Sequence, residues 1–308
     1  MNKIVLYGVG KRGKGIYDFL ISKGLEDYIY AFCDEQASSI VSYKGKRVYL
    51  PEQLVGEDII FVLTISNKEI REQIKEKLNG KKIIEFSDLA TMFNMDRVSF
   101  NRDFVTFYHV DYMDDYFDKA ESSLDVFWNE KSDFKKLFDK LDLTNVIELA
   151  CGRGRHVQKY IDKAEKITLV DILQKNIDFC RERFAESNKV FYYKNDGYDL
   201  HELKSDEYTA LFTYDSMVHF ELIDIYYYLK DIYRVLKHGG RALFHHSNNC
   251  NDYKAGMATV AQGRSFMSKE IFAYLAYRTG FEIIDQRVID WYGEHKLDCI
   301  TLVEKREL

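Results

Sequence analysis

Residues 145–156 read NVIELACGRGRH, and this stretch decides the fold class of the larger part of the chain. Its first six residues, Asn145–Ala150, predict a buried strand, and Gly152 and Gly154 predict a tight turn directly after it. Glycine lets the backbone turn sharply and approach a ligand closely. We expect a helix after the turn, with its N-terminus facing a carboxylate or phosphate of a bound ligand.

Acidic residues end the apolar runs that follow this turn along the chain. Asp171 ends the second strand, where nucleotide sites place an acid that binds both ribose hydroxyls. Asp196 and Gly197 follow the third strand, and Asp196 is placed to accept a hydrogen bond from an adenine amino group. Asp215 ends the fourth strand. Open α/β sheets bind ligands at the carboxyl ends of their strands. We therefore expect these acids to meet in one ligand site at that edge of the sheet.

The C-terminal part, residues 141–308, alternates strands with helical segments such as Leu222–Leu236 and Lys269–Thr279. This alternation predicts an α/β domain with a doubly wound sheet of seven strands. The predicted strands are Asn145–Ala150, Lys166–Ile172, Lys189–Asn195, Tyr208–Tyr214, Arg241–His246, Phe281–Val288 and Lys296–Glu304. The last two are joined by about eight residues, too few for a crossover helix, so we expect an antiparallel last strand.

A shorter version of the same pattern opens the chain. Gly8, Gly10 and Gly13 in KIVLYGVGKRG, residues 3–13, form a GxGxxG turn after a predicted strand, and Asp34 ends the next apolar run. This context is typical of dinucleotide binding. We predict a smaller Rossmann-like α/β domain over residues 1–88, with strands at Lys3–Tyr7, Tyr28–Cys33, Asp58–Thr64 and Lys82–Phe86.

Residues 89–140 contain no convincing strand, and their acidic side chains outnumber the basic ones. The stretch predicts a helical connector or cap made of one or two amphipathic helices. Its aromatic side chains either pack on the following domain or face a ligand.

The chain has 308 residues and a formal net charge of −6, with 44 basic and 50 acidic residues. Its length predicts about two domains, and the acidic balance disfavours nucleic acid as a partner. Five cysteines without a CxxC pair favour reduced thiols and a cytoplasmic location. No stretch approaches the roughly 18 apolar residues of a membrane helix, so we expect no membrane partner.

From Leu143 to Glu304 the chain resembles the class I S-adenosylmethionine-dependent methyltransferases. Five motifs match in order: ELACGRGR, VDIL, KNDGYD, FTYDSMVHFE and YRVLKHGGRALFHHS. His156 stands where the fuller glycine pattern has a third glycine. The resemblance implies S-adenosyl-L-methionine as the cofactor and S-adenosyl-L-homocysteine as its product.

The same resemblance implies the cofactor contacts residue by residue. Glu148 should lie near the methionine amino group, and Asp171 should bind the ribose hydroxyls. The other cofactor-binding residues that it implies are Gly152, Gly154, Ile172, Asp196, Gly197 and Asp215. The sulfonium is a cation that aromatic faces stabilise, and the candidates for this contact are Tyr214, Phe220, Tyr116 and Trp128.

A hydroxyl acceptor benefits from a base that removes its proton, and histidine suits that role at neutral pH. His219 follows the fourth strand, and His245 and His246 end the fifth. Adjacent strand residues face opposite sides of a sheet, so at most one of that pair faces the site. We expect one of the three histidines, or none, to act as the base. We expect no metal site, because no Cys, Asp or Glu cluster with ligand spacing lies near them.

A polar stretch, NNCNDYKAGMATVAQGRSFMSKE, follows the fifth strand. Loops at this edge of α/β enzymes often cover the acceptor, so we expect a lid here. Lys254 and Arg264 within it either bind an anionic acceptor group or lie on the solvated surface.

Residues 1–88 resemble the small N-terminal domain of bacterial sugar O-acyltransferases, on the stretches KIVLYGVGKRGKGIYDFL, AFCDE, YKGKRVYLPEQL and DIIFVLTIS. That resemblance implies a nucleotide-linked sugar at Gly8, Gly10, Gly13 and Asp34. The leading hypothesis is a methyltransferase for a small molecule, with a hydroxyl of a sugar or nucleotide-sugar in glycan or capsule biosynthesis as the first candidate acceptor.

Three alternatives stay open. An NAD-dependent oxidoreductase or epimerase would use the first glycine turn, although no Tyr-x-x-x-Lys stretch stands at a convincing strand edge. A non-catalytic binding module would hold ligands at both turns. The first domain could instead be a scaffold without a ligand, or the contact of a homodimer.

Overall fold

The computed structural model describes residues 3–54, 56, 58–110 and 116–306. Its internal contacts divide the chain into two units, each built around its own sheet. The first unit consists of Met1–Met113 and Lys254–Arg264, and the second of Asp114–Tyr253 and Ser265–Leu308. The predicted connector 89–140 is therefore divided between the units, and its residues 111–115 lie outside the described part of the chain.

The sheet of the first unit has six strands in the order β3-β4-β2-β1-β5-β6. The strands are β1 (Lys3–Tyr7), β2 (Ile29–Cys33), β3 (Ser42–Tyr43), β4 (Lys46–Tyr49), β5 (Ile59–Leu63) and β6 (Lys82–Ile84). Only β3 and β4 pair antiparallel among the described strands of this sheet. This hairpin was not predicted, because its strands are short and polar and its turn depends on positive φ at Lys44 and Gly45.

Four helices belong to the first unit: α1 (Lys11–Ser22), α2 (Lys68–Lys77), α3 (Asp88–Met92) and α4 (Arg97–Val110). Phe19 of α1 packs its ring edge-on against Phe100 and Phe104 of α4, with both ring centroids 5.2 Å away. All three side chains are buried in the core of this unit. This aromatic packing is why α4, predicted as part of the connector, belongs to the first unit.

The stretch after the fifth strand of the second unit also packs on the first unit. Met257 and Ala258 are buried in the first unit's core, and the Arg12 guanidinium donates to the Val260 carbonyl at 3.0 Å. Arg264 is 2% exposed, so its prediction as solvated surface is wrong. Residues 254–264 belong to the first unit, and a lid over the acceptor stays a prediction.

The sheet of the second unit has seven strands in the order β12-β13-β11-β10-β7-β8-β9. They are β7 (Asn145–Leu149), β8 (Lys166–Asp171), β9 (Val190–Lys194), β10 (Tyr208–Thr213), β11 (Leu236–Ser247), β12 (Phe281–Trp291) and β13 (Glu294–Lys305). The last strand, β13, is antiparallel to both of its neighbours. The other neighbouring strands pair parallel. The predicted fold class, a doubly wound seven-stranded sheet with an antiparallel last strand, is confirmed.

Helices cover both faces of this sheet. They are α5 (Tyr116–Ser122), α6 (Leu124–Trp128), α7 (Asp133–Phe138), α8 (Gln174–Arg183), α9 (Leu222–Val235) and α10 (Lys269–Arg278). Side chains of α6, α7 and α8 bury one face, and side chains of α9 and α10 bury the other. Among the described helices, none is long and apolar enough to cross a membrane.

The helix expected after the second glycine turn is absent from this described stretch, and that prediction is wrong. A single turn of 3-10 helix, Val157–Lys159, stands there instead. Gly152 and Gly154 have positive φ, and the backbone leaves helical geometry at Tyr160, where φ is −137°. The buried Tyr160 hydroxyl bonds to Glu148 on β7, which fixes the chain before a helix can continue.

Candidate functional site

The second glycine turn is fastened to the end of β8 by Asp171. One carboxylate oxygen of Asp171 accepts from the Gly152 N–H at 2.9 Å. The other accepts from the Leu173 N–H at 2.9 Å and from the Asn176 amide at 3.1 Å. Burial raises the pKa of Asp171, although these three donors favour the ionised form. The loop is therefore held at the carboxyl edge of the sheet by one buried acid.

Glu148 on β7 is a buried carboxyl with one unused oxygen. Its Oε2 accepts from the Tyr160 hydroxyl at 2.7 Å. Its Oε1 is buried and has no hydrogen-bond partner, although the side chain lines a cavity at the glycine turn. Burial raises the pKa of Glu148 to about 8, so the free protein holds it protonated at neutral pH. A buried oxygen of this kind suits an ammonium or another donor of a ligand.

The cavity at the glycine turn is small, about 50 Å³, because α5 lies over the turn. A Cβ atom added to Gly152 would stand 3.1 Å from Cε1 of Phe117, so that ring occupies the space above the glycine. Such a volume holds a few water molecules and no ligand of nucleotide size. A ligand of that size therefore requires α5 to move away from Gly152.

Charged side chains hold α5 in this position. Arg155 donates to the Ala120 carbonyl and to the Asp215 carboxylate, both at 3.1 Å. Glu121 of α5 pairs with Arg183 of α8 at 2.5 Å. These contacts join the helix to the glycine turn and to the end of β10.

His156, which replaces the third glycine of the expected motif, also lines the cavity. Its Nδ1 accepts from the Trp128 indole N–H at 2.9 Å, and its Nε2 is buried without a partner among the described residues. Burial lowers the pKa of His156 well below its usual value, so the ring is neutral. His156, Arg155 and Phe117 were not predicted as residues of this cavity, because contacts with α5 and α6 are not encoded in a local motif.

The predicted histidines do not gather at one place. His245 is fully buried: its Nδ1 accepts from the Asp215 N–H at 3.0 Å, and its Nε2 lies 3.1 Å from the Asp298 carboxylate. Its ring stacks on Tyr214, with centroids 4.5 Å apart. Both ring nitrogens are thus occupied, which gives His245 the geometry of a positioning residue for the turn after β10.

His246 faces the opposite side of the sheet, as strand alternation predicts. Its ring stacks on Phe272 with centroids 4.0 Å apart, and its nitrogens bond to Thr301 and to the Ser247 carbonyl. Burial lowers the pKa of His246 to about 3. His219 lies in the short turn Met217–His219 and is 7% exposed.

The predicted adenine contacts lie at the ends of β8 and β9. Ile172 is half-buried, and Asp196 is exposed and pairs with Lys194 at 3.2 Å. Gly197 follows with a φ of +89°. None of the three lines the cavity that the described residues enclose at the glycine turn.

The four aromatic candidates for the sulfonium contact are divided. Tyr214 and Tyr116 line the cavity. Phe220 stacks on Tyr228 on the other face of the sheet, and Trp128 is buried among core side chains. The cavity thus brings two of these aromatic side chains together with Glu148.

A second, larger cavity of about 430 Å³ opens beside the first. Phe127, Phe134, Trp291 and Tyr292 line it, and Tyr214 lines both cavities. The sequence analysis did not predict this cavity, because its walls come from α6, α7 and the distant β12–β13 turn.

Residues 146–240 match the family model described as a methyltransferase domain. The match identifies a methyltransferase domain within the second unit. The matched residues cover β7 to β11 and leave the first unit outside. Among curated proteins none matches the chain.

Solved structures of methyltransferases have a similar fold. A methyltransferase from Clostridium acetobutylicum is 16% identical, with 62% of this chain and 99% of that chain covered and a TM-score of 0.46. A methyltransferase from Mesorhizobium loti is 13% identical, with 56% and 96% covered and a TM-score of 0.46. Geranyl diphosphate C-methyltransferase from Streptomyces coelicolor, in complex with S-adenosyl-L-homocysteine, is 12% identical, with 56% and 76% covered and a TM-score of 0.44.

Proposed function

We propose that this chain transfers a methyl group from S-adenosyl-L-methionine to a small-molecule acceptor at the carboxyl edge of the second sheet. The cofactor supplies the methyl group on a positively charged sulfur. The observation that carries the proposal is the unpartnered Oε1 of buried Glu148, which lines a cavity beside the glycine turn that Asp171 holds.

The chain's own residues fit the parts of this cofactor. Ionised Glu148 would pair with the methionine ammonium, which gives its unused oxygen a charged donor. A carboxylate has about four acceptor positions, so Asp171 can accept ribose hydroxyls as well as its present donors. Gly152 and Gly154 line the methionine and sugar, and Ile172, Asp196 and Gly197 contact the adenine. Asp215 completes the set from the end of β10.

Binding requires a change in the chain, because α5 fills the space above Gly152. We propose that the cofactor displaces Phe117 from this glycine. The Arg155 bond to Ala120 and the Glu121 pair with Arg183 are the contacts that such a movement would change.

We propose a hydroxyl of a sugar or nucleotide-sugar as the acceptor. The resemblance of the first domain to a nucleotide-sugar-binding domain supports this choice. We propose that one of the three histidines, or none, acts as the base; both ring nitrogens of His245 and of His246 have hydrogen-bond partners.

Calorimetric titration of the full chain with S-adenosyl-L-homocysteine tests the cofactor assignment. We expect binding at one site per chain. A folded protein that gives no binding heat at several temperatures and no shift in unfolding temperature with this ligand would contradict the proposal. Radiolabelled cofactor with a panel of sugars and nucleotide-sugars then tests methyl transfer.

A second ligand site in the first unit is supported by a separate observation. Asp34 accepts from the Val9 N–H and from the Gln36 N–H, both at 2.9 Å, which is how Asp171 holds the second turn. A Cβ atom at Gly13 would stand 1.9 Å from the Gly8 carbonyl oxygen, so α1 packs closely on the turn. We propose that this turn binds the nucleotide of a nucleotide-linked sugar.

Titrations with uridine diphosphate and with NAD separate the alternatives for the first unit. Binding of the diphosphate supports a nucleotide-sugar site. Binding of NAD together with a cofactor-dependent absorbance change supports the oxidoreductase. Binding of neither, with dimers in sedimentation, supports a scaffold.

A further inference from the structure

We propose that the second cavity of the methyltransferase unit binds the acceptor and that it selects an uncharged ring with one apolar face, such as a pyranose. This inference rests on the proposed methyl transfer, since it names the class of molecule that accepts the methyl group. It narrows the proposed acceptor, because a diphosphate does not enter this cavity under the inference.

Five aromatic side chains line the cavity: Phe127, Phe134, Tyr214, Trp291 and Tyr292. The Phe127 and Trp291 rings are stacked with centroids 5.5 Å apart and planes 6° apart. Tyr214 packs on Phe127 with centroids 5.0 Å apart. Ligand pockets typically measure about 300–1,000 Å³, and this one measures about 430 Å³. The C–H face of a pyranose packs on aromatic side chains in the same way as other apolar surfaces.

The polar groups of the cavity are acidic or neutral. Asp133, Asp290, Ser123 and Ser132 contribute to its lining, and none of the lining residues that the structure describes is Lys, Arg or His. Carboxylates accept hydrogen bonds from hydroxyls and repel phosphates. The cavity therefore favours a hydroxylated uncharged ring over its phosphorylated counterpart.

Each of the two carboxylates has a basic side chain as a partner, and for Asp290 it is the His295 ring, with Nδ1 2.9 Å away. Asp290 accepts from the Lys296 N–H at 2.8 Å, and this backbone bond lowers its pKa. Asp133 pairs with Arg287 at 2.8 Å. Arg287 also pairs with Asp285 at 2.9 Å, so this guanidinium is shared between two acids.

The position of the cavity connects it with the cofactor site. Tyr214 follows β10 and lines both cavities. Trp291 ends β12 and Tyr292 follows it, and this end of β12 lies at the same carboxyl edge of the sheet because β12 runs parallel to β11. The two cavities thus share the Tyr214 side chain in their walls.

Tryptophan fluorescence tests this inference, because the chain has two tryptophans and one of them, Trp291, lines the cavity. Wild type, Trp128→Phe and Trp291→Phe are titrated with methyl glucoside, glucose 1-phosphate, uridine diphosphate glucose and benzyl alcohol. We expect saturable quenching by an uncharged ring in wild type and Trp128→Phe, and its loss in Trp291→Phe. Comparing the affinities for methyl glucoside and benzyl alcohol shows whether the cavity prefers a pyranose or another ring alcohol.

The charge of the ligand gives the decisive contrast. We expect the phosphorylated and nucleotide-linked sugars to bind at least about tenfold more weakly than methyl glucoside, and Asp290→Asn to reduce this difference several-fold. Equal or tighter binding of the phosphorylated sugars overturns the inference, and so does a Trp291 signal that no ligand changes. Binding of an uncharged ring without binding of S-adenosyl-L-homocysteine overturns only the proposed function. Binding of S-adenosyl-L-homocysteine without binding of an uncharged ring overturns only this inference.

Discussion

The two glycine turns of this chain are held by the same pattern of hydrogen bonds. They differ in the strand residue that precedes the turn and in the element that follows or covers it. Asp34 and Asp171 each accept from an N–H of the turn and from the N–H two residues further along their own strand end. This shared arrangement explains the sequence similarity between residues 3–13 and 145–155. In either unit it fastens the glycine turn to the end of the next strand.

The first difference is on the strand before the turn, four residues before Val9 in the first unit and four residues before Gly152 in the second. The first unit has the apolar Val5 at this position, and the second has Glu148 with its unused oxygen. The first turn leads into the twelve-residue α1, whereas the second leads into a single 3-10 turn and is covered by α5. The two turns therefore share their backbone hydrogen bonds and differ in the ligand groups they suit. Of the two corresponding strand residues, only Glu148 is an acid that can pair with an ammonium.

The largest effect on cofactor affinity should separate two single variants, Asp171→Asn and Asp34→Asn. Asp171→Asn removes charge-assisted bonds to the ribose hydroxyls, each worth about 1.5–3 kcal/mol, so affinity for S-adenosyl-L-homocysteine should fall at least about 100-fold. Asp34→Asn is the matched control and should change that affinity less than about twofold. Calorimetric titration of both variants, with thermal unfolding to confirm folding, checks the contrast. A loss in Asp34→Asn that equals the loss in Asp171→Asn would contradict it.

The second effect concerns pH and sharpens the contrast between Val5 and Glu148. Because the Glu148 pKa is about 8, pairing with an ammonium releases its proton at neutral pH. Affinity for S-adenosyl-L-homocysteine should rise with pH by up to about tenfold per unit between pH 6 and 8. Titrations of wild type and Glu148→Gln across this range measure it, and the Gln variant should bind weakly without this slope. An equal pH dependence of affinity in wild type and Glu148→Gln would show that the released proton comes from another group.

The same carboxyl should affect the stability of the free protein. The folded-state pKa of about 8 exceeds the ordinary value of 4.5, so the folded chain keeps a proton that the unfolded chain releases. The stability from this proton is complete below pH 4.5 and is lost as the pH rises to about 8. Urea unfolding should show wild type losing stability relative to Glu148→Gln over that range. A constant difference would contradict the assignment.

A smaller effect should come from the cover over the second turn. Phe117→Ala removes the ring that lies on Gly152, so S-adenosyl-L-homocysteine should associate about threefold faster in stopped-flow measurements. Val41→Ala, a change at an exposed side chain of the first unit, is the control and should leave the rate unchanged. Slower association in Phe117→Ala would show that the ring assists binding instead of opposing it.

The smallest effect is expected at the adenine end. Asp196 is exposed and paired with Lys194, so its contribution is screened by water. Asp196→Asn should weaken binding of S-adenosyl-L-homocysteine by less than about threefold. A loss as large as that of Asp171→Asn would move the centre of the site toward β9.

The parts of the fold that could be predicted are those set by local pattern. Apolar runs predicted all seven strands of the second sheet, and the short connection to β13 predicted its antiparallel direction. The hairpin at Lys44 and Gly45 was missed because short polar strands have no apolar pattern. The expected helix after Gly154 was wrong because a distant contact, Tyr160 to Glu148, fixes the chain there.

The site divides in the same way. Glu148 and Asp171 could be predicted because a strand end followed by glycine or ending in an acid is a local signal. Phe117 above Gly152, and Phe127 stacked on Trp291, could not be predicted, because these pairs meet only after distant elements pack.

A crystal structure of the full chain with S-adenosyl-L-homocysteine would show which of the two turns binds the cofactor and through which residues. We expect ligand density at the second turn, with the amino group on Glu148 Oε1, the ribose on Asp171 and Phe117 moved away from Gly152. Density at the first turn beside Asp34, or at the second turn without contact to Glu148, would contradict this expectation.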